Sequence, residues 1–244
     1  MFLEKINNYN NILKLLKIKY MKKCDICHGN GIIKKNDDYI MCECVKKAQI
    51  ISRLISNGFP KKYIDYKLDK INEILSNIND IENIQNFYED INNKNLLILS
   101  DNKTNIIKLE SMLSNDLSFR KNDKNNYFNI LFVTAEDIIQ TYSNVRFSND
   151  KNKMDKILFN VDILILNFIG NESESKTTNY GRKYINNLIT SRIFDCKTTI
   201  ISATSNLLTN TNYYGDDFLN LLNENFYILK LDNINDTLIN LKEN

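Results

Sequence analysis

Five short, predominantly apolar runs punctuate the second half of the sequence, at 96–99, 128–133, 161–166, 199–203 and 226–231. Each is rich in Ile, Leu, Val and Phe and too short for a buried helix, as expected of strands covered on both faces. Between them lie stretches with helical apolar spacing, near 106–117, 135–145, 179–193 and 217–222. Strands alternating with helices require crossover connections and a parallel sheet with helices on both sides. Residues 96–244 are therefore expected to form an α/β core around a five-stranded parallel sheet with flanking helices. Segments 122–126 and 148–153 read as polar loops.

The 244 residues allow one or two domains. At 43% hydrophobic and 25% charged, with no apolar run of membrane length, the chain is excluded from the transmembrane and fibrous classes. Its first residues, Met1-Phe2-Leu3-Glu4-Lys5, lack the apolar core of a secretory signal, so the expected location is cytoplasmic. Glycine is scarce. A phosphate-cradling loop would have to draw on Gly29, Gly31, Gly58, Gly170, Gly181 or Gly215. Charge is uneven as well: residues 1–70 carry 15 Lys/Arg against 7 Asp/Glu, and the remaining 174 carry 17 against 23. A basic front and an acidic back suggest two modules. In the front, Lys22, Lys23, Lys34, Lys35, Lys46, Lys47 and Arg53 are candidate contacts to nucleic acid or to a protein partner.

Four of the five cysteines fall within 21 residues, as Cys24-Asp-Ile-Cys27 and Cys42-Glu-Cys44. In an intracellular chain such a cluster reads as a zinc site rather than a disulfide framework. A turn carrying two thiolates clamps one edge of the zinc tetrahedron, and Gly29 and Gly31 stand where that turn must fold back. The C-x-C spacing of the second pair is tight, which leaves His28 as an alternative to one thiolate. Residues 32–41 between the pairs read as a hairpin turning at Asn36-Asp37-Asp38. An amphipathic helix is expected over 2–21 and another over 45–56, stopped by Asn57-Gly58 and Pro60. The expected organisation is an N-terminal helix and zinc module over 1–57, a helical linker over 58–95 and the core over 96–244. Cys196 reads as a structural thiol. The single histidine lies inside the zinc segment, so no catalytic triad is available.

This order of features resembles the helicase loaders of bacteria and their phages, the DnaC/DnaI/IstB-like branch of the AAA+ ATPases. The resemblance rests on the C-x-x-C-x-x-x-G segment Cys24–Gly31, on Cys42-Glu-Cys44, on Arg53 in the following helix, and on Gly58-Phe59-Pro60-Lys61-Lys62-Tyr63. It continues through a helix ending near Arg192 and a Thr199-Ile200-Ile201-Ser202 strand leading to Asn206, the family's sensor position. The family implies a P-loop core and, as partner, a hexameric replicative helicase.

The family's catalytic motifs are degenerate here. Its phosphate loop, G-x-x-x-x-G-K-S/T, corresponds without a gap to Ser100–Ile107, so both glycines are gone and Ile106 and Ile107 replace the phosphate and Mg²⁺ ligands. A shifted register would offer Lys103 and Thr104 on a shortened loop. Where the family carries two acids after an apolar strand, this sequence has Asn167 and Phe168, and residues 215–222 contain no arginine to act on a neighbour. These departures imply a P-loop fold without hydrolysis, with structural Zn²⁺ as cofactor and ATP and Mg²⁺ not expected. Three readings stay open. One is an adaptor that binds the replicative helicase, with single-stranded DNA as a further partner, in a bacterial cell or encoded by its phage. Another is a zinc-containing nucleic-acid module in which the lysines meet phosphates and Tyr39 stacks on a base. The third is a working ATPase with an unusual loop.

Overall fold

The computed structural model describes residues 9–75, 77–91, 94–170, 176–209 and 214–231. The first helix, α1, runs Tyr9–Met21, so the part of the expected 2–21 helix before residue 9 lies outside the described residues. Strands β1 (Ile32–Lys35) and β2 (Asp38–Met41) form an antiparallel hairpin. Its turn is the two-residue Asn36-Asp37, both at positive φ, the conformation that matches the twist of the flanking strands. Asp38 therefore belongs to β2, opposite Lys35. Helix α2 follows over Glu43–Ser56 and packs along α1.

The linker holds two 3₁₀ segments, Lys61–Tyr63 and Leu68–Glu73, and one helix, α3 (Ile78–Glu89), capped by the Asn77 side chain on Asn79 N at 3.0 Å. This segment packs closely against the core. Phe59, Ile74, Leu75, Ile84 and Phe87 are buried with the sheet's own side chains, and Asn115 Nδ2 donates to the carbonyls of Ile64 and Tyr66 at 3.0 and 2.8 Å. The end of α2 is fixed to the core too. Asn57 O accepts from Phe132 N, and Asn57 Nδ2 donates to Ile130 O, both at 2.9 Å.

The core contains β3 (Asn95–Leu99), α4 (Lys103–Ser118), β4 (Ile130–Thr134), α5 (Ala135–Val145), α6 (Asp150–Asn160), β5 (Ile163–Ile169), α7 (Lys176–Phe194), β6 (Thr199–Ala203), α8 (Asp216–Asn225) and β7 (Phe226–Lys230). All five strands are parallel, in the order β4-β5-β6-β3-β7. Alternate residues feed two cores. Leu97, Leu131, Leu164 and Ile201 face α5, α6, α7 and α8, whereas Leu96, Ile98, Ile165 and Ile200 face α2, α3 and α4. The sequence reading is corrected at 148–153, where α6 begins. Its first turn is Asp150-Lys151-Asn152-Lys153, and only Met154 and Leu158 are buried, an apolar stripe too narrow to register as periodicity.

The chain leaves β3 through α4 on one face, crosses to the far edge at β4, and returns strand by strand to β6 with its helices on the other face. The carboxyl end of β3 is therefore where successive helices diverge, which is where open α/β sheets bind ligands.

Candidate functional site

Two constellations qualify. In the front module the Sγ atoms of Cys24, Cys27, Cys42 and Cys44 all lie within 4.8 Å of one another, with Cys24–Cys42 at 3.6 Å and Cys27–Cys44 at 3.5 Å. Tetrahedral Zn–S bonds of about 2.3 Å place sulfurs about 3.8 Å apart, so the four donors fit a zinc ion. The turn that carries the first pair closes through His28 N to Cys24 O (3.0 Å) and Asn30 N to Cys27 O (2.9 Å), with Gly29 at φ 92°. The tight C-x-C spacing works because Cys42 is the extended N-cap of α2 and Cys44 lies in its first turn. His28 is exposed and outside the cluster. Burial pushes the Cys27 thiol up, but the Gly31 N–H, the Cys44 thiol and the Gly29 N–H outweigh it and bring it down to about 6. Burial and then the three neighbouring thiols push Cys44 up. Sulfurs crowded in this way can all ionise only around a cation.

The second constellation lies at the carboxyl ends of β3, β5 and β6. After β3 the loop is only Ser100-Asp101-Asn102 before α4 begins, and Lys103 and Thr104 are its first helical residues. Asn102 Oδ1 accepts from Thr104 N (3.1 Å) and Asn105 N (3.2 Å), and Ser100 Oγ accepts from Asn102 N (3.1 Å). Three N–H groups at the start of α4, those of Asn102, Thr104 and Asn105, are thus bonded to the loop's own side chains. Asp101 Oδ1 accepts from Ser205 N at 3.1 Å, joining this loop to the one after β6. Lys103 Nζ lies 5.4 Å from the centre of the Phe168 ring, and Phe168 has φ 59° with its N–H donated to Ser202 Oγ at 3.2 Å. Ile106 is buried in the core, Ile107 is half-buried, and Asn206 accepts from Thr204 Oγ1 at 2.6 Å.

Asn167 is buried and meets a residue that the sequence reading missed, Glu110 of α4. Glu110 is fully buried, and burial pushes its carboxyl up to about 8, with Ser202 and Asn167 lying near enough to offset part of the rise. Among the described residues, no partner stands at hydrogen-bonding geometry for either Glu110 oxygen or for either polar atom of the Asn167 amide. Its signal was present in the sequence, since position 110 falls between Ile106 and Leu113 on the helix's apolar stripe.

Arg192 sits at the opposite end of the sheet. Wholly buried, it donates from Nε to Thr199 Oγ1 (3.0 Å) and from Nη1 and Nη2 to the carbonyls of Leu158, Val161 and Thr198 (3.0, 2.9 and 2.6 Å). It pins the amino ends of β5 and β6, at the end of the sheet opposite the loops after β3 and β6.

Of the basic candidates, Lys22, Lys23, Lys34, Lys35 and Lys47 are exposed. Lys34 pairs with Asp37 (3.1 Å), Lys46 with Glu43 (2.6 Å), and Lys47 lies over the Tyr20 ring. Arg53 is half-buried and donates to Phe128 O at 3.4 Å, which makes it a tether between α2 and the core. Sequence reasoning also missed how apolar the front surface is. Leu15, Ile18 and Ile26 are exposed, and the hairpin register puts Ile32, Met41, Lys34 and Tyr39 on one wet face.

Neither a family model nor a curated protein matches the sequence. Solved structures do. A DnaC helicase loader aligns with TM-score 0.54 at 20% identity, over 71% of this chain and 100% of that one. DnaI aligns with TM-score 0.54 at 13% identity, over 72% of this chain and 95% of that one. The core has the AAA+ fold. The replication initiator DnaA, bound to AMPPCP and single-stranded DNA, aligns with TM-score 0.55 at 13% identity, and this chain spans about half of it: 73% of this chain against 52% of that one. Among the described residues no helix is long and apolar enough to cross a membrane.

Proposed function

We propose that this chain is a helicase-loader-like adaptor in the DNA replication of a bacterium or its phage. It holds a hexameric replicative helicase through its front module and uses its AAA+-like core as a scaffold that does not hydrolyse ATP. The observation that carries the reading is the sealed loop after β3. On a fold shared with DnaC and DnaI, the N–H groups of Asn102, Thr104 and Asn105 are bonded to the Ser100 and Asn102 side chains, and the two positions where the family carries acids hold Asn167 and Phe168.

In this reading Cys24, Cys27, Cys42 and Cys44 hold one zinc ion. Four protein ligands leave no open coordination position, so its role is structural. The exposed apolar side chains around it, set among Lys22, Lys23, Lys34 and Lys35, form the grip on the helicase. A second ligand, single-stranded DNA, is supported by the core surface at the end of α5. There Phe147 is 89% and Tyr180 58% exposed, with the Arg146 guanidinium 4.6 and 5.5 Å from their ring centres. Exposed rings beside a cation are what unstacked bases bind.

The test is recovery of the host's replicative helicase, identified by mass, on the full-length chain with and without a zinc chelator, alongside ATP turnover by the chain alone. The reading expects helicase capture that chelation abolishes, and no turnover. Steady hydrolysis by the isolated chain overturns the scaffold, and absence of the helicase in both conditions overturns the partner.

A further inference from the structure

We propose that Glu110 and Asn167 form a neutral acid–amide pair, a buried proton-binding site that ties α4 to the carboxyl end of β5 and is released when the proton leaves. The inference stands whether or not the chain binds a helicase. Four polar atoms meet here without a partner, Glu110 Oε1 and Oε2 and Asn167 Oδ1 and Nδ2, and both side chains are closed to solvent. One proton satisfies all four. A carboxylic acid donates its O–H to Oδ1 while its carbonyl accepts from Nδ2, whereas a carboxylate would leave Oδ1 facing a negative charge.

Besides Asn167, the Ser202 hydroxyl is the one group near enough to compensate Glu110, and it offsets only part of the cost of burial. The residues on this face of the neighbouring strands are Ile98 on β3, Ile165 and Asn167 on β5, and Ile200 and Ser202 on β6, none of them charged. The other charged side chains of α4 are Lys103, which lies over the Phe168 ring, Lys108, which is partly exposed, and Asp116, which pairs with Arg120. Ser202 Oγ accepts from Phe168 N. Desolvation is the first cause acting on Glu110, and no charged partner acts with or against it. The Asn at 167 therefore has a positive role: a carboxylate at that position would face Glu110 and raise the demand for protons.

An acid whose folded pKa is raised loses its stabilising effect as pH rises from its unfolded to its folded value. For Glu110 that window runs from 4.5 to about 8, and within it the folding equilibrium constant falls by up to tenfold per pH unit. The experiment is chemical denaturation of the full-length chain between pH 5.5 and 9, with Glu110→Gln and Asn167→Asp beside the wild type. The glutamine side chain of E110Q can pair with Asn167 as amide to amide, so this variant is expected to remove the slope, and N167D to steepen it. Infrared spectra of protein labelled with ¹³C-glutamate read the proton directly, even if both variants fail to fold. A protonated glutamic acid carbonyl band is expected at pH 6.5, lost toward pH 9. Absence of that band at pH 6.5, or an unchanged slope in a folded E110Q, overturns the proposal.

Discussion

The Oδ1 atom of Asp101 accepts a hydrogen bond from the backbone N–H of Ser205 at 3.1 Å, joining the turn after β3 to the turn after β6. A carboxylate thus stands between these two turns at the carboxyl end of the sheet. On the proposed reading, an approaching triphosphate would meet this carboxylate and N–H groups already bonded to Ser100 and Asn102, with Lys103 as the loop's one cation to offset its desolvation.

The expected consequence is that MgATP does not stabilise the fold. A ligand present at a hundred times its Kd raises stability by about 2.7 kcal/mol, a shift readily seen in a thermal melt. Melting curves recorded with and without millimolar MgATP should coincide. An upward shift in Tm would show that the sealed loop still opens for nucleotide.

Asn102 is the other half of the seal, and its effect is local. Asn102→Ala removes the acceptor for Thr104 N and Asn105 N and should destabilise by about 1 kcal/mol, whereas Asn102→Gly should cost only a few tenths. Denaturant midpoints of the two variants check the order. Equal losses would mean that the whole effect is the lost side-chain acceptor and that backbone freedom at this position contributes nothing.

Much of the core was legible in the sequence because its strands are buried on both faces, which leaves unbroken apolar runs such as 96–99 and 161–166. Helix α6 was hidden for the opposite reason, since two buried side chains in 11 residues make no periodic signal. The cysteine cluster was legible because its four ligands are close in sequence. Glu110 and Asn167 lie 57 positions apart and meet only through the crossover between α4 and β5, so their pairing could not be read from spacing. The tether of α2 to the edge of β4 was hidden in the same way, as a backbone contact between Asn57 and Phe132.

Gly58 lies next to that tether, at φ 93°, and a Cβ built there would come within 2.2 Å of Phe132 O. Alanine is therefore disfavoured twice, by its backbone conformation and by collision with a carbonyl that cannot move without disturbing the sheet. Gly58→Ala should destabilise by more than about 1 kcal/mol. Faster hydrogen exchange at Phe132 N–H should accompany the loss. Protection unchanged from wild type would mean that the linker accommodates the methyl group by shifting elsewhere.

Arg192 presents the reverse case, a buried cation whose value is its hydrogen bonds. Removing the guanidinium leaves the carbonyls of Leu158, Val161 and Thr198 without the donors they now have. Buried polar groups orphaned in this way cost roughly 1–3 kcal/mol each before relaxation. Arg192→Met should therefore lower stability by about 3 kcal/mol or more, and Arg192→Lys should recover only part of it, because an ammonium cannot reproduce the planar fork. A lysine variant as stable as wild type would mean that charge alone, and not the fork, holds the amino ends of β5 and β6.

The zinc reading makes a graded prediction, because α2 is anchored at both ends by different means. Its first turn depends on Cys42 and Cys44, while its last turn depends on Leu54 packed in the core and Asn57 bonded to β4. The purified protein should contain one zinc per chain. Chelation, or Cys24→Ser or Cys42→Ser, should expose the amides of residues 24–46 to exchange while those of β3, β5 and β6 stay protected. Cys196→Ser should do neither, since Cys196 is exposed and remote from the cluster. A metal-free protein with full protection over 24–46 would mean that the four thiols fold the front module without a cation.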